Sequence, residues 1–298
     1  MLKLIAKYTE RIDKYIANNS EITRNDIQAL IEEGAVFVNG IKVNKNKFVV
    51  NENDEIEVVK LIDKQTDVKE ENIDLDIVYE CDDYLIINKP SGMVVHPAPG
   101  HHQGTLVNAL MYHFKNNLSN VNGLLRMGVV HRIDKDTSGL LIIAKNNKTH
   151  NYFVSLLKNH DIKRTYYAIV DGIVANKHIN IDLPIGRDPK NRQKFAVTEE
   201  NSKNAFTSVE VIKYLKVNNK DKTLVKCNLK TGRTHQIRVH MNYIKHPVYG
   251  DPIYNKQVDD FNQRLHAKEL SFIDPNGKEM HFEVDLPKQM QQEIENAA

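Results

Sequence analysis

Cysteine is scarce in this sequence. The two that occur, Cys81 and Cys227, stand far apart and in no metal-type spacing. That argues against a disulfide framework or a zinc site and for reduced, buried thiols in a cytoplasmic protein. Long apolar runs are missing too, and no stretch approaches the roughly 20 residues that a helix needs to cross a bilayer. The opening "MLKLIAKYTERIDKYI" has neither an unbroken apolar core nor a small-residue cleavage site, so it is not read as a signal peptide. Internal repeats and low-complexity tracts are absent. So are the nucleophile elbow G-x-S-x-G and the metal spacings H-x-x-x-H and C-x-x-C.

What is present is ordinary for a soluble globular protein: 298 residues, 41% hydrophobic and 27% charged. That length suits one large domain and a small one. The net charge of +2 is unevenly spread. Residues 1–60 hold nine Lys/Arg against ten Asp/Glu, residues 61–75 two against five, and residues 76–298 thirty against 24. The larger part is mildly basic, which permits a polyanionic partner without demanding one.

Residues 11–60 form a small α+β module. "RIDKYIANN" places Ile12, Tyr15 and Ile16 on one helical face, and "TRNDIQALIEEG" follows with Thr23 as N-cap and Gly34 as stop. "AVFVNGIKVN" reads as two short strands around an Asn39-Gly40 type I′ turn. This pattern resembles the S4 domain, an RNA-binding module. By that resemblance Arg24, Lys42 and Lys45 are candidate RNA contacts.

Residues 61–75 are polar and acidic and read as a linker, with the second domain beginning near Ile73 and occupying 76–298. "IVYECDDYLIINKP" gives strand, turn, strand. "GTLVNALMYHF", with Thr105 near its start, and "KTHNYFVSLLKN" give helices. "KRTYYAIVDG" and "NAFTSVEVIKYL" give strands rich in β-branched and aromatic residues. Strands in runs with a few helices between them predict an α+β fold with a mixed, mainly antiparallel sheet.

The densest chemistry is "GVVHRIDKDTSGLLIIAKN" (128–146), which reads as strand, charged loop, strand. A loop held at both ends by core strands can fix a side chain rigidly. Several readings compete on these residues alone. They are a solvated turn, a metal site on His131, Asp134 or Asp136, a two-carboxylate glycosidase using Asp134 and Asp136, or one Asp steadied by an arginine. A second cluster, "LKTGRTHQIRVHMNYIKHP" (229–247), favours the last. Its "HQIRVHM" alternates like a strand, but its length and the stop at Pro247 predict a helix, with Arg233 at the N-terminus. In "KRTYYAIVDG" one of Tyr166 and Tyr167 faces the core, and the other could present its ring to an aromatic ligand.

Together these stretches resemble the pseudouridine synthases, in the branch that includes the large-subunit enzymes of the RluA and RluD type. "NKPSGMVVHPAPGHHQGTLVNAL" and "QRLHAKELSF" add to the likeness, which covers nearly the whole chain. Ile133 stands where the family more often has Leu, and Asp274 where His is commoner. The resemblance implies an isomerase that detaches uracil from ribose C1′ and rejoins it through C5, with no metal or other cofactor. It implies Asp134 as the essential carboxylate, acting on C1′ or on a neighbouring ribose proton. It makes Arg233 the partner that keeps Asp134 ionised, and Tyr166 the ring that stacks on uracil. Arg132 and His131 would contact RNA beside the target. Arg187, Lys190, Arg192 and Lys194 of "PIGRDPKNRQKF" (184–195) would form a basic loop on the phosphates. Large-subunit ribosomal RNA is the favoured partner, alone or within a pre-ribosomal particle, and the expected form is a cytoplasmic monomer with no membrane contact. The alternatives are a transfer-RNA enzyme of the same family and a non-catalytic ribosome assembly factor that binds RNA.

Overall fold

The computed structural model describes residues 2–20, 22, 24–59, 68–98, 101–115, 117–121, 123–191, 194–256 and 258–297. The chain divides into two compact units, 1–66 and 67–298.

In the first unit, helix Ile12–Asn18 buries Ile12, Tyr15 and Ile16, and helix Arg24–Glu32 buries Ile27, Leu30 and Ile31. They share a core with Val36, Val38, Ile56 and Val58 of a four-stranded antiparallel sheet. Strands Val36–Val38 and Ile41–Lys42 are joined by Asn39 and Gly40, at φ 51° and 76°. Both values are positive, as a type I′ turn requires. Thr23, read as the N-cap, lies outside the described residues.

The second unit is built on a nine-stranded sheet. Its order is His178–Asp182, Phe206–Val217, Lys220–Leu229, Lys163–Asp171, Leu265–Ile273, Ser138–Ala144, Tyr84–Lys89, Ile77–Glu80, with Glu279–Glu283 also paired to Leu265–Ile273. One contact is parallel, between Ser138–Ala144 and Leu265–Ile273; the rest are antiparallel. The mixed, mainly antiparallel sheet expected from the sequence is what the chain forms.

Side chains alternate across this sheet. Leu85, Ile87, Leu141, Ile143, Ala168 and Val225 share a core with Leu106, Val107 and Leu110 of helix Leu106–Phe114 and with Ile237 and Met241 of helix Gln236–Tyr243. Tyr84, Ile86, Leu140 and Ile142 turn the other way, onto Phe153 of helix Asn147–Asn159. Ile169 and Leu224 also face that way and pack with Met290 of helix Lys288–Glu295. Strands 84–89 and 138–144 are covered on both faces, so "YLII" and "LLIIA" are continuous apolar runs rather than alternating ones. Thr105 opens its helix with a capping box to Asn108. No described helix is long and apolar enough to cross a membrane.

Three expectations need correction. Val129 and Val130 form no strand, because only Val129 finds a partner, in a single bridge to Ile143. Residues 68–75, assigned to the linker, lie on the second unit. Val68 and Leu75 pack against its core, Glu71 N–H donates to Asn108 O, and Asn108 donates to Lys69 O. The basic stretch 184–195 is not wholly loop, since Ile185–Arg187 pairs with Phe195–Val197 as a hairpin.

Candidate active site

Asp134 lies on the segment that enters strand Ser138–Ala144. That segment is pinned from the end of strand Tyr84–Lys89. The buried Lys89 Nζ donates to the carbonyls of Pro90, Met93 and Lys135 at 2.7, 2.8 and 2.9 Å. Three acceptors satisfy all three ammonium N–H groups. Burial pushes this ammonium down to about 7, against the opposing charges of Asp136 and Asp134. Ser91 Oγ donates to Asp136 O at 2.9 Å, and Gly92 N–H to Lys135 O at 3.0 Å. Gly139 sits at φ 111°, and a Cβ there would lie 2.2 Å from Ala267 O. Only glycine lets the strand behind Asp134 lie against strand Leu265–Ile273.

The arginine that meets Asp134 is Arg238, not Arg233. Arg238 Nη1 donates to Asp134 Oδ2 at 2.8 Å, while Nε and Nη2 donate to the two oxygens of Asp251 at 2.7 and 2.9 Å. The Arg238 side chain is 3% exposed and that of Asp134 19%. Burial pushes this guanidinium down, but the hydrogen bonds and charges of Asp251 and Asp134 outweigh it and hold its pKa above the ordinary value. Asp251 is itself fully buried and also accepts the backbone N–H groups of Ile253 and Tyr254. Arg233 instead donates through Nε to Asn204 O at 2.9 Å.

The reason is local. His235, just before helix Gln236–Tyr243, is left-handed at φ 57°, so the chain turns sharply between the two arginines. Gln236 locks the turn. Its Oε1 accepts from Arg233 N–H and Thr231 Oγ, and its Nε2 donates to Phe206 O and Thr207 Oγ1. His235 Nε2 comes to 4.0 Å from Asp134 Oδ1, and burial holds its imidazole below the ordinary pKa.

Tyr166 lines the same cleft, 6% exposed. A bulge between Thr165 and Tyr166, against strand Leu265–Ile273, re-aims the side chains there. Burial raises the Tyr166 phenol, opposed by Arg164, so it stays protonated at neutral pH. Tyr167 faces the opposite core. The cleft is about 510 Å³, within the ~300–1,000 Å³ typical of ligand pockets, and its walls include Arg132, Asp134, Arg164, Tyr166, Arg233 and Arg238.

Of the sequence-derived candidates, Asp134, Tyr166, Arg233, Arg132 and His131 converge on this cleft. Arg132 is exposed at its edge. His131 does not serve as a cation. Its Nε2 accepts Ile142 N–H at 3.2 Å, and burial, helped by Arg164, pushes its imidazolium down to about 3. It braces the loop. On the hairpin, Arg187 lies over the Phe195 ring at 4.9 Å and Lys194 faces Tyr254 at 5.8 Å, while Lys190 is exposed. Phe195 and Tyr254 in turn contact the His235 ring. Arg192 lies outside the described residues. In the first unit Arg24 is engaged with the buried Asp13, which also holds Arg11 and Gln28. Lys42 and Lys45 are exposed. Among the described residues no three His, Cys, Asp or Glu are grouped to hold a metal.

Sequence reasoning missed Asp251 and Arg238's part. An arginine inside a helix whose residues 236–241 are all buried demands a carboxylate, and that was the available signal.

Comparison with known proteins places these features. The RNA pseudouridylate synthase family matches residues 83–243, and the S4 domain matches residues 10–56. The chain is 48% identical to an uncharacterized RNA pseudouridine synthase, YlyB, of Bacillus subtilis, over 97% of this chain and 94% of that one. It is 39% identical to ribosomal large subunit pseudouridine synthase D of Zymomonas mobilis, over 94% and 92%. The human RNA pseudouridylate synthase domain containing 1 aligns in structure with a TM-score of 0.59 at 25% identity, over 71% of this chain and 83% of that one.

Proposed function

The chain belongs to the RNA pseudouridylate synthase family, and from that premise we propose that it isomerises uridines of large-subunit ribosomal RNA with Asp134 as the reacting carboxylate. The observation that carries the site assignment is the Asp134–Arg238–Asp251 chain on the cleft wall. Arg238 is oriented by Asp251 and turns one N–H on Asp134, which fixes that carboxylate's position.

The target nucleotide must leave the stack, because C1′ and C5 are not both accessible in stacked RNA. Flipping costs a few kcal/mol, and less in a loop or bulge. In the cleft Tyr166 lies against the uracil ring. Asp134 either adds to C1′ or takes a proton from the adjacent ribose carbon, and N1 departs. The base turns within the walls and C5 joins C1′, as the Asp134–C1′ bond breaks on the first route or as the ribose carbon takes its proton back from Asp134 on the second. The C5 proton is then lost to solvent. Arg132 at the edge and the hairpin carrying Arg187, Lys190 and Lys194 suit the phosphates on either side. The S4 unit adds affinity through Lys42 and Lys45. Ribosomal RNA as substrate rests on relatives named ribosomal large subunit pseudouridine synthase D, at 36–39% identity. A cytoplasmic monomer fits that role.

The test follows tritium release from RNA labelled at uracil C5, on large-subunit ribosomal RNA and on transfer RNA. Wild type is expected to release tritium from the ribosomal RNA, and Asp134→Asn to release none while still binding it. Preference for transfer RNA would overturn the substrate. Activity in Asp134→Asn would overturn the site.

A further inference from the structure

Among the described residues three arginines are buried to nine-tenths or more: Arg164, Arg238 and Arg264, at 9%, 3% and 1% exposure. Two are neutralised by carboxylates. Arg238 has Asp134 and Asp251, and Arg264 has Glu293 and Asp259. Arg164 has none among the described residues, and its Nε makes no hydrogen bond. A buried charge without a counter-ion is destabilising, so its retention calls for an occupant.

Its surroundings indicate where that occupant enters. Arg164 stands two residues before Tyr166 on one strand, and both side chains line the cleft that holds Asp134. Nη1 of Arg164 lies against Gly232, where a Cβ would come within 2.7 Å of it. The absence of a side chain there leaves the guanidinium room beside the Arg233 turn. Burial holds this guanidinium below its ordinary pKa. Of the other cleft cations without a carboxylate, Arg132 and Lys158 are exposed, and Arg233 is half-buried and donates to Asn204 O. Exposed cations meet phosphates, which stay with the RNA backbone. A cation buried beside Tyr166 meets what goes inside, which is the base.

Resting on the reading above, we propose that Arg164 receives a carbonyl oxygen of the flipped uracil and stabilises the negative charge that gathers on the base as N1 separates from C1′. Arg164 is thus a further catalytic residue. When the C1′–N1 bond breaks, its electron pair leaves with uracil, whose charge is shared between N1 and the carbonyl oxygens. C1′ is supplied either by an Asp134 oxygen, forming an ester, or by the electrons of the adjacent C–H bond, whose proton passes to Asp134. On both routes the base is anionic until C5 bonds to C1′. That bond displaces the Asp134 oxygen on the first route and is accompanied by return of the proton from Asp134 to the ribose carbon on the second. The C5 proton then passes to solvent, and Arg164 neither gains nor loses an atom. Its N–H groups act where charge develops, in a site sheltered from water.

The experiment measures single-turnover tritium release at saturating enzyme, RNA affinity and thermal midpoint for wild type, Arg164→Met, Arg164→Lys and Asp134→Asn. Arg164→Met is expected to slow release by about 10²-fold or more, the effect of removing one well-placed donor. Its RNA affinity should stay within about threefold of wild type, as for an interaction made in the transition state. Its midpoint should hold or rise, since an unneutralised buried cation has gone. Arg164→Lys should recover part of the rate. An unchanged saturated rate with weakened binding would make Arg164 a phosphate ligand and overturn the proposal. A lowered midpoint, with activity falling in step with the folded fraction, would make it structural and also overturn it. If Arg164→Met does not fold, Arg164→Lys decides by the same division between rate and affinity. An inactive wild type would sink the isomerase reading itself, and an active wild type with an equally active Arg164→Met would sink this inference alone.

Discussion

A lysine cannot do what Arg238 does. It offers one point charge, whereas the guanidinium holds Asp251 with one edge and still presents Nη1 to Asp134. Arg238→Lys should therefore leave Asp134 misplaced and lower single-turnover tritium release by about 10²-fold, the scale of a 1 Å error in positioning. Arg233→Ala should spare that rate and show instead as weaker binding and a shallower salt dependence, which filter binding across salt concentrations can read. If Arg233→Ala proves the more damaging of the two at saturation, the pairing described above is not the working one. Asp251→Ala leaves Nε and Nη2 of the buried Arg238 without their carboxylate and should lower unfolding free energy by about 3 kcal/mol in urea titrations, since Asp134 still holds Nη1. On the residues alone the Asp134 loop had several readings and Tyr166 was not told from Tyr167; the family likeness of two short contiguous runs singled them out, and both side chains line the cleft. Asp251 was not legible, since it reaches Arg238 across 13 residues with no periodicity linking them. The choice between Arg233 and Arg238 hung on one left-handed residue, His235, and nothing in the spacing of "GRTHQIR" announces its φ.

Among the elements, strand Ser138–Ala144 has the least freedom to change. Its Gly139 meets Ala267 O at a distance no Cβ can share, and at φ 111° a side chain is strained as well. Gly139→Ala should cost roughly 3 kcal/mol or more, since clash and backbone strain both fall in the core. A urea midpoint equal to wild type would show that the parallel contact is dispensable. The hairpin 185–197 is joined to the site through rings, Phe195 against His235 and Tyr254 against both, so RNA phosphates there would press on the elements that hold Asp134. Elements were readable where local chemistry decides them, as at Asn39-Gly40 and Thr105. They were not where a distant partner decides. Val129 and Val130 have strand composition, yet the chain supplies only one bridging residue opposite them.

Across the whole molecule, buried and half-buried histidines shape the response to acid. Burial, first among the causes, holds His131 down at about 3 and both His96 and His266 at about 4. Each folded value lies below the ordinary 6.5, so the unfolded chain binds more protons between them. Stability is full above about pH 6.5 and declines as the pH falls toward 4, by up to about 1.4 kcal/mol per pH unit for each histidine. Urea midpoints measured from pH 7.5 to 4.5 should fall steadily, and His266→Asn should flatten the curve. A flat wild-type profile would mean that these rings are not held neutral. The division into two units was visible as a change of composition near residue 60, but the sequence hid how much of 68–75 belongs to the second. Polar composition does not reveal that Val68 and Leu75 reach its core.

The position of Asp134 in the chain has a consequence in time. Its arginine lies 104 residues downstream, and the strand that carries it is completed by Leu265–Ile273. During synthesis the carboxylate emerges first, and at the usual pace of translation the residues that equip it follow on the order of ten seconds later. Until then the growing chain carries Asp134 without its hydrogen-bond partner. The cleft is therefore a property of the finished second unit, and a chain cut short before residue 238 presents the carboxylate without the guanidinium that positions it.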